Sequence, residues 1–165
     1  MSFPQSVEYQ FEQAVSEIFS EIDNLNVYTT NRTGQRLLPY ILVSSKISRQ
    51  LINQYSGVYE IEATLNYSDS CAKVSDTQFD EKYLEVFSSL YSPEDTLTAK
   101  IGKNTTDLKI YMARISEQIP TIIQNKRAWL RGLKITAIVT PDEFSDGYRS
   151  YIFSDFLNSF YLSTI

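Results

Sequence analysis

Apolar residues recur every three or four positions in several stretches of the chain, which is the spacing of one face of an α-helix. The longest stretch covers residues 3–25, and the next covers residues 79–90, where Asp76 or Thr77 can cap the helix. The serine and proline at residues 92–93 mark a shorter helix, which is expected to end at Gly102. The pattern therefore predicts two or three helices.

Apolar and polar residues alternate strictly over residues 58–67, which is the period of a β-strand with one buried face. Runs of β-branched, aromatic and other apolar residues predict four further strands, at residues 27–30, 40–47, 108–115 and 127–140. Pro120 is expected to break the chain between the last two strands. The polar residues 48–57 are expected to form a hairpin loop.

The predicted elements follow the order of one helix, three strands, one or two helices and two strands. This order favours an α+β fold, in which two or three helices cover one face of a mostly antiparallel sheet. Residues 1–141 are predicted to form this domain, and residues 142–165 form an aromatic C-terminal extension.

The extension begins with a polar stretch, residues 142–147, which is typical of a linker. It continues with closely spaced aromatic residues: Tyr148, Tyr151, Phe153, Phe156, Phe160 and Tyr161. One interpretation is that the extension folds back onto its own sheet, and the other is that it docks on a neighbouring subunit. Docking is favoured because the predicted sheet is already complete at Thr140, and exposed aromatics would form an adhesive patch.

The composition argues against most enzyme chemistry. The chain has no histidine and one cysteine, Cys71, which excludes Ser-His-Asp and Cys-His arrangements and most zinc sites. Residues 101–104 lack the upstream glycine of a phosphate-binding loop. Pairs of carboxylates remain, but they are expected on solvated faces or at helix starts. We therefore expect no cofactor, no metal and no catalytic site, and an enzyme that relies on carboxylates alone is the least favoured class.

The net charge of −5 bears on the kind of partner. Proteins that bind duplex DNA usually present a basic face, and anionic lipid surfaces attract cations, so neither is expected as the main ligand. The first residues lack the basic and apolar regions of a signal peptide, which predicts a protein made and used in a cytoplasm.

Aromatic residues make up 13% of the chain, and 12 of them are tyrosine. Tyrosine, tryptophan and arginine are enriched where protein surfaces meet. The sequence therefore predicts a subunit interface, although surface solvation alone would also accommodate the basic residues. Besides the aromatics of the extension, the candidate interface residues are Arg32, Arg36, Lys46, Arg49, Tyr55 and Trp129.

Several segments carry a resemblance to a known family. They are LPYILV at residues 38–43, GVYEIEATLNY at 57–67, FDEKYLEVFSSLY at 79–91, LKIYMARI at 108–115 and AWLRGLKITAIVTP at 128–141. In this order, after an N-terminal amphipathic helix, they resemble the tail terminator, or tail completion, proteins of tailed bacteriophages. The resemblance covers residues 5–141 and rests on pattern rather than on particular residues.

The resemblance implies a structural subunit that forms a ring, commonly a hexamer, in the neck of a virion assembled in the bacterial cytoplasm. Such a ring caps the tail tube, presents a surface to the head-side connector and lets DNA pass without specific binding. The alternatives are a head–tail connector or stopper at the same junction, and a monomeric adaptor that binds another protein.

Overall fold

A computed structural model of the chain describes residues 7–30, 36–50, 57–91, 93–124 and 127–141. Its helices are α1 (Val7–Glu17), α2 (Asp76–Phe87) and α3 (Leu97–Gly102), and a 3-10 turn (Ser88–Leu90) follows α2. Its strands are β1 (Asn26–Thr29), β2 (Tyr40–Gln50), β3 (Tyr59–Ser70), β4 (Leu108–Gln124) and β5 (Ala128–Pro141).

The strands form one open sheet in the order β1-β2-β3-β5-β4. Every neighbouring pair is antiparallel except β1 and β2, which are parallel. The three helices and the mostly antiparallel sheet confirm the predicted α+β fold.

The hydrophobic core lies between the helices and one face of the sheet. On β3, Ile61 and Leu65 point into it, and their register partners on β5 are Ala137 and Leu133. Helix α1 contributes Phe11 and helix α2 contributes Phe79 and Tyr83, all almost completely buried. Because β3 presents every second residue to this layer, the alternation in the sequence predicts its buried face correctly.

Helix α1 is shorter than the sequence predicts. It ends at Glu17, and the backbone N–H groups of Ile18 and Phe19 donate to carbonyls three residues back, not four. These tight turns keep Phe19 fully buried, so the apolar spacing continues beyond the helix. The chain then turns at Asn24, which has a positive φ of 61°.

Three strands are longer than the sequence predicts, and β3 is one of them, since it continues three residues past Tyr67 to Ser70. Pro120 does not break the chain, because β4 is an edge strand and continues through it to Gln124. Proline fits there because an outer edge needs no N–H donor, and the register shifts nearby, between Ile119 and Ile122. Likewise β2 extends to Gln50 into the predicted hairpin loop, and residues 51–56 of that loop lie outside the described residues.

Helix α2 begins with a capping box one residue before the predicted cap. The Ser75 hydroxyl accepts from the Gln78 N–H at 3.3 Å, and the Gln78 side chain accepts from the Ser75 N–H at 3.1 Å. This reciprocal pair satisfies two backbone donors that a helix start leaves open. Neither Asp76 nor Thr77 is therefore the cap.

A buried carboxylate joins α1 to the sheet. Glu12 is 2% exposed. It accepts hydrogen bonds from the Thr30 hydroxyl at 2.7 Å and from the Ser45 backbone N–H at 2.8 Å. The Glu12 side chain thus satisfies the Ser45 N–H of β2 and the hydroxyl of Thr30, which follows β1.

We expect Glu12→Ala to lower the free energy of unfolding by about 2–3 kcal/mol, because it leaves the Ser45 N–H without its acceptor in a buried site. Glu17→Ala, an exposed position on the same helix, is the matched control and should change stability by less than about 0.5 kcal/mol. Urea unfolding of both variants measures the difference. Equal midpoints would show that the Glu12 hydrogen bonds contribute nothing to stability.

Candidate interaction surface

The face of the sheet away from the helices carries pairs of opposite charges. Lys46 and Arg49 lie on β2, and their partners on β3 are Glu62 at 3.9 Å and Glu60 at 3.1 Å. Across the sheet, Lys134 Nζ lies 3.3 Å from a Glu117 carboxylate oxygen. Three basic groups of this face therefore each lie against a neighbouring acid.

The structure separates the predicted interface residues. Lys46 and Arg49 lie on β2, and Arg36 is exposed just before it. Arg32, Tyr55 and the aromatic residues of the extension (Tyr148, Tyr151, Phe153, Phe156, Phe160 and Tyr161) lie outside the described residues. Among the described members of the set, Lys46 and Arg49 lie on the same strand, and the interface role of the whole set stays a prediction.

Trp129 lies on the helix-covered face of β5 and is partly buried. Its indole Nε1 donates to the Val74 carbonyl at 2.8 Å, and its ring stacks on Phe79 at a centroid distance of 6.1 Å. These contacts hold the start of α2 against the sheet. They give Trp129 a structural role within the fold.

A shallow cleft of about 390 Å³ lies between α2 and the second half of β4. Its lining residues are Asp80, Gln118, Ile119, Pro120, Thr121 and Arg131. Asp80 accepts from Arg131 Nη1 at 3.2 Å and from the Thr121 hydroxyl at 3.1 Å. We call this feature the α2–β4 cleft.

Tyr83 packs against two residues that line this cleft, Arg131 and Gln118. The Arg131 guanidinium lies over its ring, 4.1 Å from the centroid. Burial raises the pKa of Tyr83, and the nearby Arg131 charge opposes that shift only in part. The phenol therefore stays protonated at neutral pH, with the Gly132 carbonyl and Gln118 Oε1 as acceptors at 3.3 Å. These contacts hold the side chains of Arg131 and Gln118 in place within the cleft.

Exposed apolar side chains lie on α2 and β4, the two elements on either side of this cleft. Leu84, one helical turn after Asp80, is 61% exposed, and Ile123 on β4 is 52% exposed. Its neighbour Ile122 is exposed on the opposite face of the strand. The sequence analysis missed this surface because it ended the strand before Pro120. The two adjacent isoleucines after that proline are the signal that could have revealed it.

A second exposed apolar site lies beside β1. In the segment 37–39, which we call the corner, Leu37 is 60% exposed and Leu38 is also exposed. The Asn26 side chain donates to the Leu37 and Pro39 carbonyls at 3.1 and 3.2 Å. The Leu37 N–H donates to the Tyr28 hydroxyl at 3.1 Å. The corner is thus fixed to β1 while its leucine side chains face solvent.

Two absences concern the residues that the structure describes. Within the described ranges, no three His, Cys, Asp or Glu side chains are grouped so that they could hold a metal ion. In the same part of the chain, no helix has both the length and the apolar character needed to cross a membrane.

No protein-family model matches the chain, and no curated protein matches it in sequence.

Proposed function

We propose that this protein is a structural subunit of a bacteriophage neck, a tail terminator that forms a ring between the tail tube and the head-side connector. The observation that carries the proposal is the order of segments that resemble that family. In this chain those segments form one open sheet with helices on a single face. An open sheet has two different edges. One edge of each subunit can therefore contact the other edge of the next subunit, and this contact can repeat around a ring.

The proposal includes the C-terminal extension, residues 142–165, as an arm that docks on a neighbouring subunit or neck protein. Its support is the density of aromatic residues after a polar linker. Aromatic side chains contribute large apolar areas to interfaces, where they often dominate the binding energy. No catalytic step is part of this function.

The charge distribution supports passage of DNA through such a ring without retention. The chain carries a net charge of −5. On the face of the sheet away from the helices, Lys46, Arg49 and Lys134 each lie against a glutamate. A lumen with many unpaired lysines and arginines would bind the phosphate backbone, because each contact releases counterions.

We therefore expect the purified chain to bind duplex DNA weakly or not at all at physiological salt. Fluorescence anisotropy with a labelled duplex, titrated at several salt concentrations, measures this. Affinity in the submicromolar range that falls steeply with salt would contradict the prediction, because it would require a basic surface that grips phosphates.

The mass of the assembly in solution tests the proposed function. Native mass spectrometry and sedimentation velocity should show one closed oligomer of the 165-residue chain, with a hexamer as the expected size. A chain that stays monomeric at every concentration would instead favour the monomeric adaptor. A ring that binds connector proteins but not tail tubes would favour the connector or stopper alternative.

A further inference from the structure

We propose that copies of this chain assemble head to tail, with the 37–39 corner of one copy seated in the α2–β4 cleft of the next. The inference rests on the proposed ring and names the two surfaces that would close it. Both surfaces are built from described residues, and each has exposed apolar side chains in it or on the elements that form it.

The two surfaces lie on opposite sides of the same end of the sheet: the cleft is at the β4 edge, and the corner leads into β2, next to the edge strand β1. The register aligns Tyr40 of β2 with Ser68 of β3, Ser68 with Leu130 of β5, and Leu130 with Ile122 of β4. The corner immediately precedes Tyr40 beside β1, and Ile122 and Ile123 end β4 on the far side. With strands about 4.8 Å apart, the three spacings from β2 to β4 separate the two surfaces by roughly 14 Å.

Surfaces on opposite sides of this end of the sheet cannot meet within one molecule. They can meet between molecules when each subunit presents its corner edge to the cleft edge of the next. That contact is heterologous. It produces a ring if the rotation from each subunit to the next returns to the first subunit, and a filament if it does not. A second copy is therefore an occupant that fits both the cleft and the corner.

The charges beside the two surfaces are complementary. Arg36 is exposed next to the corner and forms no ion pair with the described residues. The cleft carries the partly exposed carboxylate of Asp80, and the adjacent Glu81 on α2 is exposed without an ion pair among the described residues. Asp80 already pairs with Arg131 inside the cleft at 3.2 Å, so an arginine that arrives with the corner would meet Glu81 beside the cleft. Such pairing fixes orientation and disfavours other approaches.

A symmetric contact between two cleft edges is disfavoured on two grounds. It would bring the carboxylates of Asp80 and Glu81 of both copies together, which costs free energy. Pro120 has no N–H, so two β4 strands cannot form an uninterrupted ladder across this edge. The corner of another copy needs no such ladder.

Two single substitutions each remove one surface. Leu37→Glu places an acid in the corner, and Ile123→Glu places one at the cleft rim. Thr106→Glu adds the same charge at an exposed position in the loop before β4, at the other end of the sheet, and is the control. All three positions are exposed, so thermal melts should match those of the unchanged chain and exclude misfolding as the cause of any effect.

Sedimentation velocity on each variant and on an equimolar mixture tests the proposal. Leu37→Glu and Ile123→Glu should each be monomeric alone, and Thr106→Glu should assemble like the unchanged chain. In the mixture, the intact corner of the Ile123→Glu variant can bind the intact cleft of the Leu37→Glu variant. The resulting pair has no further intact surface, so a species of two chains should form and should not grow. A charge exchange adds a second test: Arg36→Glu should weaken assembly and the pair Arg36→Glu with Glu81→Arg should restore it.

The proposal fails if either variant assembles like the unchanged chain, or if the mixture stays monomeric at the highest soluble concentration. These results are distinct from failure of the proposed function. If the unchanged chain forms rings and both variants also form them, the ring stands and only these surfaces are wrong. If the unchanged chain is monomeric at every concentration, both the ring and its surfaces are wrong.

Discussion

Gly132→Ala is expected to prevent folding or to lower the free energy of unfolding by more than about 4 kcal/mol. A Cβ at this position would lie 2.0 Å from the Leu65 carbonyl oxygen and 2.8 Å from Asn66 Oδ1. The nearer atom belongs to the backbone of β3 in the centre of the sheet, so it cannot move aside without separating β3 from β5. The carbonyl of Gly132 also lies within hydrogen-bond distance of the Tyr83 hydroxyl, so the shift would disturb the packing of α2.

Gly102→Ala is the matched control for this prediction. A Cβ at Gly102 would have no neighbour within 4 Å, and the residue ends helix α3. Alanine favours helix over glycine, so this variant should be as stable as the unchanged chain or slightly more stable. Denaturant unfolding of both variants gives the comparison. A Gly132→Ala protein that unfolds at the same denaturant concentration as the unchanged chain would show that the sheet tolerates the added methyl group.

Truncation after Pro141 is expected to abolish assembly while leaving a folded subunit. The principal core, from Phe11 on α1 to Val139 on β5, lies within residues 7–141. The truncated chain should therefore melt cooperatively. It loses an arm whose aromatic burial against a partner would contribute several kcal/mol, at roughly 25 cal/mol per Å² before the cost of ordering.

Circular dichroism melts and sedimentation of the truncated chain separate the two interpretations of the extension. A folded monomer supports the docking arm. An unfolded chain would mean that the extension completes its own subunit. In that case the buried apolar residues on the face away from the helices, Val58, Met112 and Ile138, mark where it would pack. Serine substitution of Phe156 and Phe160 in the intact chain should reproduce the loss of assembly without unfolding.

The sequence alone predicts the fold class and most of the elements because the local pattern reflects burial. Residues 58–67 alternate because β3 lies in the centre of the sheet with one face under the helices. The same reasoning overextends α1, since tight turns after Glu17 bury Phe19 at nearly helical spacing. The local pattern also predicts a β4 that is too short, because a strand accepts Pro120 only where it lies at the edge of the sheet, and the pattern does not show that position.

The two proposed contact surfaces could not be predicted from the sequence, because they depend on the order of strands in the sheet. Strand β5 inserts between β3 and β4, which places Ile123 on one outer strand, whereas Leu37 leads into β2 beside the other outer strand, β1. Local periodicity carries no information on that insertion. Arg36 and Arg49 were selected from the sequence for their residue type, and the structure distinguishes them: Arg49 pairs with Glu60, whereas Arg36 is next to the corner.

Electron microscopy of the purified 165-residue chain tests the ring most directly. We expect closed particles with rotational symmetry around an open centre. In each particle, the β1 edge of one subunit should face the β4 edge of the next. A monomer, or a two-fold dimer in which like edges meet, would contradict this expectation.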